Sequence, residues 1–212
     1  MKLVSVNSLA LQGVKVIRSA RFRDARGYFT EHYRQSDFSK LPELGFLQDV
    51  AFVQCNESFS RSGTIRGLHF QWNPYQGKLV RTVFGRMVDL VLDIRLGSPT
   101  LGEIVCYDLP ADRGADFQEW IWVPPGFAHG TFFPEDGVIE YLCTGEYSPG
   151  CEAGISPFAG DLDWTRCEPG LKGLFDLVAS SNPLMTDKDR HGFSMREWLA
   201  DQRSGQFVSG PR

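Results

Sequence analysis

Short stretches in which apolar and polar residues alternate run through the middle of the chain and predict β-strands. The clearest is 87–94, in which Asp89 and Asp93 alternate with Val, Leu and Ile. Five further segments, each bounded by Gly, Pro, Asp or Asn, fit the same interpretation: 49–54, 78–84, 103–108, 120–123 and 139–144. Several short strands at this spacing are typical of a β-sandwich or barrel and not of βαβ units.

Helical signals are few and lie outside the strand-rich middle. A Ser-Asp pair predicts a short helix over 36–41, which Pro42 stops. A Ser-Met-Arg-Glu capping box predicts a second helix over 194–202. The mixed polarity of 160–183 predicts an irregular segment that wraps over the β core, and the apolar stretch 2–17 is suited to pairing at a sheet edge.

The chain has the length and composition of one ordinary folded domain. It has 212 residues, of which 42% are hydrophobic and 23% charged, so neither disorder nor a fibrous structure fits. We find no repeat and no linker and therefore predict a single domain over 1–203. The Gly-, Ser- and Arg-rich end, 204–212, is predicted to be a flexible tail.

Charge and cysteine usage exclude several classes of protein. A net charge of −4 argues against a general nucleic-acid binder, which needs a basic surplus. No apolar run approaches the roughly 20 residues of a membrane span, and the first residues lack the apolar core of a signal peptide. Five cysteines without a CxxC pair argue against a disulfide framework or zinc ribbon and predict reduced thiols in a cytoplasm.

Two of the four histidines stand in unusual settings. His69 lies in Arg-Gly-Leu-His-Phe-Gln, and His129 lies in Pro-Pro-Gly-Phe-Ala-His-Gly, which matches the Pro-x-Gly-x-x-His element of the cupin jelly roll. Metal cupins carry His-x-His and a following Glu in the first element, whereas Gln71 stands at the second position here. Because a catalytic metal needs about three good ligands, we predict a cupin shape without a metal. Either histidine could equally be a hydrogen-bonded structural residue.

The neighbours of His69 suggest chemistry on a phosphorylated ligand. Arg66 precedes it and offers a bidentate fork to phosphate, while Lys78 offers a point charge to an oxyanion. A base, a phosphate clamp and an oxyanion partner together describe proton abstraction beside a carbonyl group. Strict strand alternation would place Arg66 and His69 on opposite faces, and solvated surface charges are the alternative interpretation.

An ordered series of motifs from residue 22 to residue 189 resembles the dTDP-4-dehydrorhamnose 3,5-epimerase family of RmlC-like cupins. The motifs, in order, are Asp-Ala-Arg-Gly-Tyr-Phe-Thr-Glu, Phe-Val-Gln-Cys-Asn, Ile-Arg-Gly-Leu-His-Phe-Gln, Gln-Gly-Lys-Leu-Val-Arg, Asp-Ile-Arg, Pro-Pro-Gly-Phe-Ala-His-Gly, two tyrosines six residues apart, and Thr-Asp-Lys-Asp. The resemblance implies a mainly β cupin jelly-roll sandwich or barrel with a few short peripheral helices. It also implies an isomerase without a cofactor that acts on a nucleotide-linked 4-keto-6-deoxyhexose in cytoplasmic deoxysugar biosynthesis.

The same resemblance assigns roles to individual residues. His69 is implied as the general base, Asp189 as its orienting carboxylate, Lys78 as the partner of the sugar carbonyl, and Tyr141 as the acid that precedes a stacking Tyr147. The implied substrate contacts are Arg26, Phe29, Glu31, Gln54, Asn56, Arg66, His129, Tyr147, Glu152 and Lys188. The family's dimers lend an N-terminal strand to the neighbouring subunit, so a homodimer with Arg26 and Glu31 in the partner's site is expected.

Several functions stay open at this level. Cys55 and Glu57 replace the acidic residue and the histidine that the family carries in its Gln-Asp-Asn-His segment. The nucleotide base, the sugar and the number of inverted centres are therefore undetermined. A 3-only or 5-only epimerase, a keto-sugar isomerase of the cupin type and a non-catalytic sugar-nucleotide binder are the alternatives.

Overall fold

Two β-sheets that share one long strand form the body of the molecule. The computed structural model describes residues 1–210. The strands of this part are β1 (Leu3–Ser8), β2 (Lys15–Ala20), β3 (Phe22–Asp24), β4 (Gly27–Phe29), β5 (Gln54–Ser60), β6 (Ile65–Gln71), β7 (Lys78–Asp93), β8 (Ile104–Pro110), β9 (Phe117–Val123), β10 (Phe127–Phe132), β11 (Gly137–Cys143) and β12 (Glu152–Gly154). The predicted mainly β architecture is confirmed.

The long strand β7 passes from one sheet into the other. Its first half pairs with β9 and β11, which gives a sheet in the order β1–β2–β9–β7–β11–β5. Its second half pairs with β8 and β10, which gives a sheet in the order β8–β7–β10–β6–β12. The separate hairpin β3–β4 is exposed along both strands. These pairings are antiparallel and mostly join strands that are not consecutive in the sequence, which is typical of a β-sandwich.

The predicted strand positions hold in most of the chain and fail in two places. The segments predicted over 78–84 and 87–94 are one continuous strand, because Gly85 adopts a positive φ and lets the strand continue into the second sheet. The segment predicted over 49–54 is not a strand, since β5 begins at Gln54. The alternation seen in β5 is therefore that of the following residues, with Asn56 and Ser58 partly buried and their neighbours exposed.

Apolar side chains fill three layers. The innermost layer lies between the sheets and includes Val80, Val91 and Ile121. The outer face of the first sheet packs under α1 (Gln35–Phe38) and the 3-10 helix Pro42–Leu47. The third layer covers the outer face of the second sheet and includes Phe175 and Trp198. Because the second half of β7 lies in this sheet, it is buried on both faces and reads as a nearly continuous apolar run.

The helices that cover the second sheet are α2 (Pro169–Ser180), α3 (Asp187–Arg190) and α4 (Met195–Ala200). The predicted capping box of α4 is present, with Ser194 and Glu197 bonding each other's backbone amides. The prediction of an irregular segment over 160–183 is wrong for α2, because Glu168 caps its first turn and Phe175 and Val178 pack into the core. Helix α1 is shorter than the predicted 36–41.

The C-terminal segment packs against the second sheet. The flexible tail predicted over 204–212 differs from the structure, since Ser204 lies in the 3-10 helix Gln202–Gln206 and Phe207 is fully buried. The Phe207 ring contacts Phe70 and Trp198, and its carbonyl accepts a bond from the Leu96 amide. The last two residues of that predicted tail, 211–212, lie outside the described residues. No helix in the described part is long and apolar enough to cross a membrane.

Candidate active site

Two adjoining cavities open between the sheets, with volumes of about 430 Å³ and 340 Å³. Both are lined by His69, Lys78 and Tyr141, so these three side chains stand at their junction. The predicted site residues that line the larger cavity also include Gln54, Asn56, Tyr147 and Glu152, and those of the smaller one include Arg66, His129, Lys188 and Asp189. Residues from distant parts of the chain, between Gln54 and Asp189, thus meet in one cleft.

A histidine–carboxylate pair lies at the centre of the cleft. The Nε2 atom of His69 is 2.7 Å from Oδ1 of Asp189, whose Oδ2 accepts a 3.2 Å bond from the Gly67 amide. Burial alone would raise the pKa of the Asp189 carboxyl, but these bonds outweigh it and hold that pKa below its usual range. A carboxylate on Nε2 places the proton there and leaves the lone pair on Nδ1 of His69.

The Asp189 carboxylate is positioned by helix α3, which lies near the C-terminal end of the chain. Thr186 caps the helix by accepting a bond from the Asp189 amide, which fixes the start of its single turn. Asp189 is the buried residue of that turn, while its neighbour Lys188 is exposed. A capped turn thus positions a charged side chain that strand periodicity could not have placed.

A bulge in β6 resolves the conflict between Arg66 and His69. His69 is opposite His129 in the pairing with β10, whereas Arg66 is opposite Thr131, so β6 uses three steps where β10 uses two. The extra residue turns the side chains of Arg66 and His69 to the same face of the sheet. Both line the smaller cavity, contrary to the strict alternation considered for the sequence.

Glycine makes this bulge possible. A Cβ on Gly67 would lie 2.6 Å from the Cα of Gly130 and 2.7 Å from the carbonyl oxygen of His129, and its φ is +102°. Contacts this short exclude a side chain at position 67, and the positive φ favours glycine independently. The close approach of the two backbones brings His69 and His129 side by side.

Lys78 and Tyr141 lie on the neighbouring strands β7 and β11 and line both cavities together with His69. Lys78 begins β7 and is paired in register with Cys143 of β11, two residues beyond Tyr141. Burial lowers the pKa of the Lys78 ammonium and raises the pKa of the Tyr141 phenol. Lys78 lines both cavities and, within the described residues, forms no ion pair.

Polar residues form the rim of the larger cavity. Gln54 donates to the Asn56 side chain over 2.9 Å and accepts a bond from the Tyr147 amide over 2.8 Å. The Tyr147 hydroxyl donates to Glu152 over 3.0 Å, and Lys188 forms an ion pair with the same carboxylate. These bonds hold the pKa of Glu152 below its usual range although burial acts in the opposite direction. The rim is therefore an ordered set of donors, acceptors and one cation.

A second histidine–carboxylate pair lies beside the first and was not predicted. The Nε2 atom of His129 is 2.7 Å from Oδ2 of Asp89, a fully buried residue of β7. The other oxygen of Asp89 has no hydrogen-bond partner in the described part of the chain. An aspartate within an otherwise apolar strand was the available sequence signal, because a buried carboxylate needs a partner.

Gln71, at the position of the second histidine of metal cupins, is occupied in holding loops. Its amide nitrogen donates to the carbonyl oxygens of Pro74 and Glu146, and its oxygen accepts a bond from the Ser148 amide. Across residues 1–210 no three His, Cys, Asp or Glu side chains are grouped as metal ligands.

Three predicted site residues are not brought to the cleft. Arg26 and Phe29 lie on the exposed β3–β4 hairpin, where Arg26 pairs with Asp24 and Phe29 is 64% exposed. Glu31 pairs with the Met1 amino group and with Arg34. None of the three lines either cavity of this chain.

Comparison with known proteins identifies relatives over nearly the whole chain. A family model described as dTDP-4-dehydrorhamnose 3,5-epimerase matches residues 8–197. A curated relative of that name from Sinorhizobium fredii is 45% identical over 165 residues, which cover 75% of this chain and 80% of the relative. The crystal structure of an epimerase from Legionella pneumophila, in complex with dTDP-4-keto-L-rhamnose, has a TM-score of 0.79 and 29% identity and covers 98% of this chain and 99% of its own.

A further solved structure is that of an enzyme described as a monoepimerase. It is a 3′-monoepimerase from Streptomyces bikiniensis in complex with dTDP-quinovose. Its TM-score is 0.74 at 25% identity, and the match covers 99% of this chain and 93% of that one.

Proposed function

The chain belongs to the dTDP-4-dehydrorhamnose 3,5-epimerase family, and from this premise we propose that it inverts C3 and C5 of a dTDP-linked 4-keto-6-deoxyhexose. The observation that carries the proposal is the meeting of His69, Lys78 and Tyr141 at the junction of the two cavities. A base, a cation and a phenol around one space are the groups that proton abstraction beside a ketone requires. The family places the enzyme in deoxysugar biosynthesis, of which rhamnose is one product.

The first step removes a proton from a carbon next to the ketone. His69 takes this proton on the nitrogen that does not contact Asp189, and the buried carboxylate stabilises the imidazolium that results. The ketone oxygen becomes an enolate oxyanion, which the Lys78 ammonium stabilises. Both C3 and C5 are acidified by the same carbonyl at C4, so one set of groups serves both centres.

The second step returns a proton to the opposite face of the ring. Tyr141 is the proposed donor, because it lines both cavities with His69 and its phenol is protonated near neutral pH. Burial raises the pKa of this phenol further. Delivery from the side opposite His69 inverts the centre, whereas return from His69 would restore the starting sugar. No hydride leaves the sugar in either step, so the reaction is balanced without a redox cofactor.

The remaining cleft residues bind the nucleotide sugar. Arg66 carries a planar guanidinium suited to the diphosphate, and Lys188 adds a second cation at the rim. Gln54 and Asn56 supply amide groups for the nucleotide or sugar, and Tyr147 supplies an exposed ring for stacking. The substrate contacts proposed in addition are Glu152 and His129.

Deuterium exchange tests the reaction directly. The protein is incubated in D₂O with a dTDP-4-keto-6-deoxyhexose, and C3 and C5 are followed by NMR. We expect deuterium at both carbons, a loss of exchange of roughly 10³-fold in His69→Asn, and retained exchange without net inversion in Tyr141→Phe. His191→Asn, an exposed histidine outside both cavities, serves as the matched control and should exchange at the wild-type rate.

The same experiment separates the alternatives. Deuterium at only one carbon would replace the proposal by a 3-only or 5-only epimerase. Binding in a calorimeter without exchange at either carbon would indicate a sugar-nucleotide binder. Wild-type exchange in His69→Asn would remove the proposed base.

We further propose that the protein acts as a homodimer in the cytoplasm. The β3–β4 hairpin supports this quaternary state, because Phe22, Tyr28 and Phe29 are large apolar side chains left exposed at one edge. A partner subunit that received this hairpin and the residues just after it would gain Arg26 and Glu31, which do not reach the cleft of their own chain. The cytoplasm suits five cysteines that are all unbridged.

A further inference from the structure

Two cysteine sulfurs are in direct contact on the outer side of the second sheet. The Sγ atoms of Cys106, on β8, and Cys167, just before α2, are 3.2 Å apart. The Cys167 sulfur also lies 3.2 Å from the carbonyl oxygen of Ile104. The other three cysteines (Cys55, Cys143 and Cys151) have no second sulfur within hydrogen-bond distance in the part of the chain described.

The two sulfurs are held by elements that are fixed independently. Cys106 is paired with Leu90 in the β7–β8 ladder, and Cys167 is held by a bond from its amide to the carbonyl oxygen of Trp164. Sixty-one positions separate them in the sequence. Contact between residues this distant is set by the packing of α2 on the sheet and not by a local turn.

The surroundings favour reaction at Cys167. Hydrogen bonding from the Cys106 thiol lowers the pKa of the Cys167 thiol although burial opposes this, and the nearby Lys172 ammonium acts in the same direction as the bond. Cys106 is only partly buried, so a small oxidant has access to the pair. A thiolate with a second thiol at contact distance is the arrangement found in cysteines that oxidise reversibly.

We propose that Cys106 and Cys167 form a redox modification site, in which a peroxide converts the two thiols to a disulfide. The Cys167 thiolate attacks one peroxide oxygen, the O–O bond breaks, and hydroxide leaves and is protonated to water. The Cys106 sulfur then attacks the Cys167 sulfenic acid, the S–O bond breaks, and the hydroxide that leaves takes the Cys106 proton as water. Two thiols thus give two electrons to one hydrogen peroxide, which becomes two waters.

The expected consequence is a firmer attachment of α2 to the sheet. A disulfide needs the sulfurs to approach by roughly 1 Å from their present separation, which side-chain rotation and small backbone shifts can supply. The bond closes a long loop that includes β9 to β12, so it restricts the unfolded chain strongly. Neither cysteine lines the cleft, so the effect is on stability and does not depend on the proposed reaction.

Peptide mapping of the wild-type protein tests the site without a variant. The protein is treated with hydrogen peroxide, remaining thiols are alkylated, and the digest is analysed by mass spectrometry without reduction. We expect one linked peptide pair that contains Cys106 and Cys167 and that dithiothreitol separates. Thermal unfolding of the same samples should show a midpoint higher by roughly 5–15 °C after oxidation, returning on reduction.

Matched variants distinguish this disulfide from general oxidation. Cys106→Ser should abolish both the linked peptide and the rise in Tm, whereas Cys55→Ser and Cys151→Ser should retain both. Oxidation of Cys55 shows that the peroxide treatment is effective. If Cys106 and Cys167 were still free thiols after that treatment, and were therefore alkylated, the proposal would be overturned. A link between Cys106 and Cys167 that leaves the Tm unchanged or lowers it would overturn the inferred attachment of α2.

Discussion

At the scale of single residues, the cleft is built from two histidine–carboxylate pairs on adjacent strands. His69 and His129 are directly opposite in the β6–β10 ladder, and each is bonded over 2.7 Å to its own aspartate. The aspartates come from different sources, since Asp89 lies in the sheet and Asp189 in helix α3. Paired in this way, both imidazoles are fixed in orientation before any ligand arrives.

The protonation state of Lys78 gives a prediction for the pH dependence of activity. The charged ammonium is the form that stabilises the enolate, and burial lowers its pKa, so the charge is lost at a lower pH than for an ordinary lysine. The pKa of Tyr141 is shifted upward, so loss of the phenol proton is displaced to higher pH, away from the loss of the Lys78 charge. We therefore expect kcat/KM to fall on the alkaline side, with a midpoint at a lower pH than an ordinary lysine would give.

Substitution by arginine checks this assignment. The guanidinium of Lys78→Arg stays charged at all accessible pH values, so its residual activity should lack the alkaline fall or show it at higher pH. The control is Lys40→Arg, at an exposed lysine that lines neither cavity. This variant should keep the wild-type pH profile. The same alkaline midpoint in Lys78→Arg as in wild type would contradict the role given to Lys78.

At the scale of elements, the β6 bulge and the strand β7 decide what the sheets can present. The bulge turns Arg66 and His69 to one face, and β7 contributes both Lys78 at its start and Asp89 in its second half. The continuous strand therefore links the wall of the first sheet to that of the second. A one-residue change of register in β6 would turn the side chains of Arg66 and His69 away from the cleft.

The close contact at Gly67 predicts how sensitive this bulge is. In Gly67→Ala a Cβ would meet the backbone of Gly130 at 2.6 Å, so β6 and β10 must separate. We expect a loss of stability of roughly 3 kcal/mol or more, together with a large fall in kcat, because strain in the backbone adds to the clash. Denaturant unfolding and the exchange assay measure the two effects.

Gly63 provides the matched control for that substitution. Its φ is +78°, yet nothing lies within 4 Å of the position that a Cβ would take. Gly63→Ala should therefore cost only about 1 kcal/mol for the backbone conformation and leave the activity of the folded protein unchanged. Equal losses of stability in the two variants would show that the contact between the strands is unimportant.

At the scale of the whole molecule, the cleft of one chain contains only part of the predicted site. Arg26 and Glu31 are held outside it, so the proposed dimer predicts complementation between two inactive variants. Arg26→Ala and His69→Asn should each be strongly impaired alone. When the two chains are co-refolded in equal amounts, roughly a quarter of the wild-type activity should return, because half of the dimers are mixed and each rebuilds one of its two sites.

Light scattering supplies the companion measurement for complementation. A monomer at micromolar concentration would contradict the dimer itself. A dimer whose mixed form recovers no activity would instead show that Arg26 acts within its own chain or not at all. The control is a double variant that carries both Arg26→Ala and His69→Asn. Mixed in equal amounts with either single variant, it should recover no activity, because no site in such a dimer has both an intact Arg26 and an intact His69.

The class of the fold and the candidate reactive residues could be predicted from the sequence. Alternation with a period of two follows from one buried face, so it located most strands, and the capping box of α4 is a local signal of the same kind. The ordered motifs pointed to His69, Lys78, Tyr141 and Asp189, and family membership is established by the comparisons. The strands and the helix cap could be predicted because each depends on residues near one another in the chain. The motifs could be identified because each of them is a short local segment.

The contacts between residues distant in the sequence could not be predicted and are seen in the fold. The fold paired His129 with Asp89, turned Arg66 and His69 to one face through a bulge, and brought Cys106 against Cys167. It also buried Phe207, in a segment whose Gly- and Ser-rich composition predicted a loose tail. Local periodicity reports which side of an element is buried but not what covers it, and the covering is set by packing between elements far apart in sequence.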